Sequence, residues 1–155
     1  MRKDKVNYYL DIADAVRSRS TCLRRQYGAI IVASDEIVAT GYNGAPRGRK
    51  NCDELGSCPR DVLKIPSGER YELCRSVHAE ANAIISASRK ETIGSTLYLV
   101  GRDARSGALL ETATPCSMCR RLIINAGIER VVSRVSETEY VDTPVSEWIE
   151  HDDTV

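Results

Sequence analysis

The chain has no surplus of either charge: 22 Lys and Arg against 22 Asp and Glu give a formal net charge of zero over 155 residues. A protein that gathers a polynucleotide or an anionic membrane surface by long-range attraction carries a basic excess. Both classes are therefore disfavoured, although a local basic pocket for one phosphate is not. Long apolar runs are lacking too, and none approaches the roughly 20 residues that cross a bilayer. The opening MRKDKVNYYL has charge but no apolar signal-peptide core, so the expected compartment is the cytoplasm. Repeats and low-complexity tracts are missing. A chain of this length is expected to form one domain, 1–155, whose core needs no disulfide staples. Histidine is scarce, with His78 and His151 alone, and His151 lies in a polar tail.

Cysteine is not scarce. Six are present: Cys22, Cys52, Cys58, Cys74, Cys116 and Cys119. In a reducing compartment clustered thiols point to metal or catalysis before disulfides. The plainer reading, a small buried hydrophobe at each position, suits an isolated cysteine better than a cluster.

Apolar residues at Val6, Tyr9, Leu10, Ala13 and Val16 repeat with helical spacing inside 3–20. YGAIIVA (27–33) and EIVATGY (36–42) are β-branched runs joined by Ser34-Asp35, the pattern of a hairpin. A loop punctuated by Gly, Pro and Cys follows from Asn43 to about Leu73, and a loop so long inside a compact domain is functional or tethered. Then come a helix over 75–89, a strand over 95–101 and a turn-rich excursion over 102–114 that reads as a second small hairpin. A helix from Pro115 or Cys116 to Ala126 stops at Gly127, a strand occupies 129–135, and the tail forms a short last element. Helices alternating with strands late in the chain, after an opening hairpin, imply an α/β fold with a mixed sheet covered on both faces.

Two short motifs carry chemistry. VHAEANA puts His78 and Glu80 where one helix begins, and TPCSMC puts Cys116 and Cys119 where another begins. Residues three apart on a helix share a face, so both sulfurs can meet at one point. Helix N-termini favour the thiolate that a metal requires, and Pro115 is pre-set for helix entry. Two thiolates and an imidazole are a zinc set that leaves a fourth tetrahedral position for water. Glu80 need not be a ligand; as a free carboxylate it can accept and pass on a proton. CxxC alone is equally a redox pair or half a zinc knuckle, and HAE alone means little. Together and in this order they are specific.

The pattern H-x-E followed by P-C-x-x-C is the signature of zinc nucleobase deaminases. The chain resembles the cytidine/deoxycytidylate deaminase superfamily through CLRRQYGAIIV, GYNGAPRG, IPSGERYELCRSVHAEANAII, TLYLVG and TPCSMCRRLIINAGIERVV, which span nearly all of it. Within that superfamily it is similar to the dCMP deaminases, including bacterial competence-associated members. The resemblance implies a three-layer α/β/α cytidine deaminase-like fold with a mixed central sheet of about five strands. It also implies hydrolysis of dCMP to dUMP and ammonia at a catalytic Zn2+ held by His78, Cys116 and Cys119, with Glu80 moving the protons.

By the same resemblance Asn43 holds the sugar 3′-hydroxyl, and Asn-Gly is also a plain turn signal. Arg89 matches a helix-end arginine that contacts the 5′-phosphate, roughly 13 Å along a helix from Glu80; a solvated arginine at a helix end is the plainer reading. Backbone at Ala79 and Thr114 touches the pyrimidine. Some members carry a second, structural zinc, and Cys22 and Cys52 fall where those members have ligands; Cys58 and Cys74 complete a set of four by count, with unligated thiols under the loop as the alternative. Family members assemble as homo-hexamers, take dCTP with Mg2+ as activator and dTTP as inhibitor, and GAPRGRK is a candidate effector loop or simply an exposed basic one. The insertion GRDARSGALLETAT departs from simpler members and leaves the substrate open. Alternatives are a deaminase of another cytosine nucleotide, a nucleoside, guanine or a transfer-RNA adenosine, or a noncatalytic zinc module in DNA uptake. No polynucleotide partner and no membrane are expected.

Overall fold

The computed structural model describes residues 1–111 and 113–152. Asp4 accepts a hydrogen bond from the Asn7 amide and caps helix α1 (Lys5–Arg17), which buries Tyr9, Leu10 and Ala13. Strands β1 (Arg25–Ala33) and β2 (Glu36–Tyr42) are joined through Ser34 and Asp35, both at positive φ. Two such residues match the strand twist of a tight hairpin. The long loop contains the helical turns α2 (Cys52–Leu55) and α3 (Pro59–Val62) and a 3-10 turn at Tyr71–Leu73. Then follow α4 (Ala79–Ser86), α5 (Arg89–Thr92), β3 (Thr96–Asp103), α6 (Ser117–Ala126), β4 (Arg130–Arg134), β5 (Tyr140–Pro144) and α7 (Ser146–Glu150).

The sheet order is β2-β1-β3-β4-β5. β3 and β4 run parallel, and the other three pairings are antiparallel. Alternation along the strands divides the core in two. Ile30, Val32, Tyr98, Val100 and Val132 pack against α1 on one face. Ala29, Ile31, Leu97, Leu99 and Val131 pack against Ala79 and Ala83 of α4 and Ile123 and Ala126 of α6 on the other. The fold is the expected three-layer α/β/α sandwich around a mixed five-stranded sheet. No helix among the described residues is long and apolar enough to cross a membrane.

Two expectations are corrected and one holds. The helix expected over 75–89 is two helices, α4 and α5, broken at Ala87, which is extended. Its start is delayed because Val77 exchanges backbone hydrogen bonds with Gly44, which holds that residue extended. The excursion over 102–114 does turn back as a minimal hairpin: Arg102 bridges Leu109 antiparallel, the Asp103 amide donates to the Ala108 carbonyl and the Leu110 amide to the Gly101 carbonyl. The fifth strand is β5, an exposed edge the sequence had not marked.

At the rim, Asp14 accepts from Arg17 Nε at 2.6 Å and from Arg102 Nη2 at 2.9 Å, tying α1 to β3. Burial raises the Asp14 pKa, but these charge-assisted bonds outweigh it and hold the carboxyl below its usual range. A depressed folded pKa stabilises the fold above the unfolded value near 3.9, and that contribution is lost as pH falls through the folded pKa. Asp14→Asn should therefore cost about 1–2 kcal/mol at pH 7 and leave a smaller difference from wild type below about pH 3, measured by urea unfolding.

Candidate active site

The site forms where two helices begin over the same face of the sheet. His78 is the N-cap of α4 and Cys116 the N-cap of α6, both in extended backbone. Cys119 follows in the first turn of α6 and is buried. α4 is brought close by Gly41: a Cβ there would overlap the Ala79 carbonyl oxygen and the Ala83 amide nitrogen. The same junction is fastened by Asn82, whose Nδ2 donates to the Tyr42 carbonyl at 2.8 Å. On the other helix, Arg120 Nε donates to the Pro115 carbonyl at 3.0 Å and fixes the entry to α6.

These constraints gather the three expected ligands. His78 Nδ1 lies 3.5 Å from Cys116 Sγ and 3.4 Å from Cys119 Sγ. Among the described residues, His78, Cys116 and Cys119 are the one group of three such side chains whose donor atoms all lie within 4.8 Å of one another. Two thiols and an imidazole at that spacing fit zinc with a position left open. The Cys119 thiol donates to Cys116 and, with His78, pulls the Cys116 pKa well down. Cys119, losing that proton last and buried, is pushed up. His78 is raised by its bond with Cys116, although burial opposes this.

Glu80, in the first turn of α4, faces the same cleft, is 5% exposed, and burial raises its pKa. The cleft is lined by His78, Glu80 and Cys116, by Asn43, Tyr27 and Thr114, and by Arg24, Arg25 and Arg60. Asn43 is buried, donating Nδ2 to the Arg25 carbonyl and accepting the Tyr27 amide, both at 2.9 Å. It thus ties the end of β2 to β1 and forms pocket wall at once. Ala79, the first residue of α4, is fully buried against the sheet.

Arg89 is not brought to the site. It lies on α5 beyond the break, is exposed, and gives Nη1 to the Asn125 carbonyl at 2.6 Å. Sequence reasoning missed the three arginines that do line the cleft. Arg24 and Arg25 stand inside CLRRQYGAIIV, but nothing in the sequence says which way they face.

The other four cysteines are neighbours at the flank of the cleft. Cys22, Cys58 and Cys74 line it. Cys52 is buried; burial first, and the proximity of Cys22, Cys58 and Cys74 second, raises its pKa. The Arg24 amide points at Cys22 Sγ (3.5 Å) and the Ser76 amide at Cys74 Sγ (3.4 Å), the support a sulfur ligand receives. Their sulfurs are not drawn as close as those of the first group.

Comparison with known proteins agrees with this geometry. Residues 3–135 match the family model of the cytidine and deoxycytidylate deaminase zinc-binding region. A deoxycytidylate deaminase of Mycobacterium phage D29 is 40% identical over 136 residues, covering 84% of this chain and 94% of the phage protein. The Schizosaccharomyces pombe deoxycytidylate deaminase is 35% identical over 130 residues, covering 84% of this chain but 37% of the yeast protein. The chain thus spans nearly all of one relative and little more than a third of the other. In structure it resembles the dCMP deaminase of the cyanophage S-TIM5 in complex with dCMP and dUMP, with a TM-score of 0.58, 27% identity, and coverage of 86% of this chain and 83% of that one. The chain belongs to the cytidine and deoxycytidylate deaminase family.

Proposed function

We propose that the protein is a zinc-dependent dCMP deaminase that hydrolyses dCMP to dUMP and ammonia. The observation that carries this is the convergence, in one cleft, of His78, Cys116 and Cys119 with the buried carboxyl of Glu80. The names of the relatives point to the substrate.

His78, Cys116 and Cys119 would hold zinc, which would make a water acidic enough to attack. Glu80 takes a proton from the attacking water as oxygen adds to C4 of the pyrimidine, and delivers it to N3. It then carries the second proton from the added oxygen to the 4-amino group, which leaves as ammonia, so the carboxylate is regenerated. Burial suits Glu80 to this, because a carboxyl held above its usual pKa keeps a proton long enough to pass it on. Asn43 and the backbone beside Thr114 orient the nucleotide.

Further parts of the reading rest on the family. They are a cytoplasmic location, a homo-hexamer, dCTP with Mg2+ as activator and dTTP as inhibitor, with 44–50 as effector loop; its residues Pro46 to Lys50 are exposed. A second, structural zinc at Cys22, Cys52, Cys58 and Cys74 is supported by their proximity and by the amides aimed at two of the sulfurs. Elemental analysis of purified protein should then approach two zinc per chain, and a value of one would remove the second site.

The reading is tested by a panel of dCMP, CMP, deoxycytidine and guanine, run with and without dCTP and Mg2+. dCMP should give the highest kcat/KM; a higher value for deoxycytidine or guanine would replace the substrate assignment.

A further inference from the structure

The stretch 113–115 that leads into α6 borders two hollows. Thr114 lines both the cleft of Glu80 and a second cavity, which is walled by Pro115, Arg120, Val131, Val141 and Trp148. The stretch lies in no strand, and Pro115 has no backbone N–H to give. Its one backbone–backbone bond among the described residues is long, from the Ala113 amide to the Leu110 carbonyl at 3.4 Å.

The three side chains of the metal cluster are therefore not equally held. Cys119 lies inside the first turn of α6. His78 follows Val77, which is locked to Gly44 by backbone bonds of 3.2 and 2.7 Å. Cys116 is a cap in extended backbone, and a side chain supplies its support. Arg120 Nε donates to the Pro115 carbonyl at 3.0 Å, while the Arg120 amide donates to the Cys116 carbonyl at 2.9 Å. One residue thus grips the peptide units on both sides of the Cys116 Cα.

The side-chain half of that grip needs a guanidinium held in one direction, and an arginine on a helix surface is otherwise free to swing. Here its Cζ lies 5.1 Å from the ring centroid of Trp148, the chain's single tryptophan. A cation over an aromatic face is attracted by the ring's quadrupole. Trp148 is itself fixed. Its amide donates to the Val145 carbonyl at 2.9 Å, and its ring packs on the core beneath α4 and α6. Val145 is buried and gives its amide to the Glu129 carbonyl at 2.8 Å.

We infer that Arg120 and Trp148 act as one positioning unit that sets Cys116, which makes α7 part of the frame of the active site. The effect on turnover rests on the deaminase reading of the cleft; the effect on metal retention does not depend on the substrate. Groups that orient a metal ligand from outside change metal affinity or activity about 10–100-fold when removed.

The test compares the zinc-loaded chain with Arg120→Met, which keeps the apolar stem and removes the donors, with Trp148→Ala and Trp148→Phe, and with the double variant Arg120→Met/Trp148→Ala. Zinc transfer to a chromogenic chelator is followed well below the melting temperature of each, with kcat and KM for dCMP measured alongside. The kinetic phase absent from Cys116→Ser identifies the site. Arg120→Met and Trp148→Ala should each release that zinc about tenfold faster and lower kcat about tenfold, with KM within about twofold. Trp148→Phe keeps an aromatic face and should stay within about threefold of wild type. The double variant should be no worse than Arg120→Met alone, because the ring acts through the guanidinium. Zinc release at the wild-type rate in a folded Arg120→Met or Trp148→Ala would leave α7 as packing alone and overturn the inference, and so would additive losses in the double variant. Should Trp148→Ala fail to fold, Arg120→Met decides: release about fivefold faster or more supports the inference, and the wild-type rate overturns it. A wild type that holds zinc yet leaves dCMP unchanged would overturn the deaminase reading, while the release rates would still decide the positioning role.

Discussion

Replacing Glu80 with glutamine should lower dCMP turnover about 10²–10⁴-fold while leaving the zinc content unchanged. Glu80 is not among the donor atoms that converge, so the metal site should survive its loss. What glutamine removes is the group that collects a proton and passes it to N3 and then to the amine. Glu80 is 5% exposed, and it is the one carboxylate among the described residues lining the cleft, so no neighbouring carboxylate there can take over its role. Glutamine is nearly isosteric, so folding should be little affected. Turnover near the wild-type level would mean that another group moves the protons, whereas lost activity together with lost zinc would make Glu80 part of the metal shell.

Gly41→Ala should have the second largest effect, and it acts on the site through the backbone. The added methyl would meet main-chain atoms, the Ala79 carbonyl and the Ala83 amide, which cannot swing aside as a side chain does. α4 must move off β2, straining the Asn82 bond to Tyr42 and displacing His78 at the head of the helix. Overpacking of this kind costs about 1–3 kcal/mol, and the upper end is expected here because both contacts are backbone. The measurable result is a lowered melting temperature with weakened zinc retention during dialysis against a chelator. A variant that melts lower but holds zinc and turns over dCMP normally would show that α4 can shift without carrying His78.

The strands that face the core on both sides were legible because their β-branched residues alternate between the two halves of the core. β5 was not, because Tyr140 to Asp142 are exposed and an edge needs no apolar pattern. The break between α4 and α5 had a readable signal: Ser88 accepts from the Glu91 amide while the Glu91 carboxylate accepts from the Ser88 amide, a capping box that starts a new helix. Apolar spacing running through Ile84 and Ile85 masked it.

The cluster of His78, Cys116 and Cys119 and the neighbouring Glu80 were legible because two short motifs put those residue types at the heads of two helices. Arg60 was not. A charged residue in a loop is ordinarily solvated, and its burial is made by Tyr71 and by carbonyls six and nine positions away. Arg89 failed for the converse reason: the distance along a continuous helix was permissive, but the helix ends at Ser86.

The central claim is tested most directly by incubating the purified, zinc-loaded chain with dCMP and quantifying dUMP and ammonia together. The account predicts that both accumulate in equal amounts, and that both form at least about 100-fold more slowly with Glu80→Gln at the same zinc content. Unchanged dCMP in the presence of the zinc-loaded wild type would contradict it.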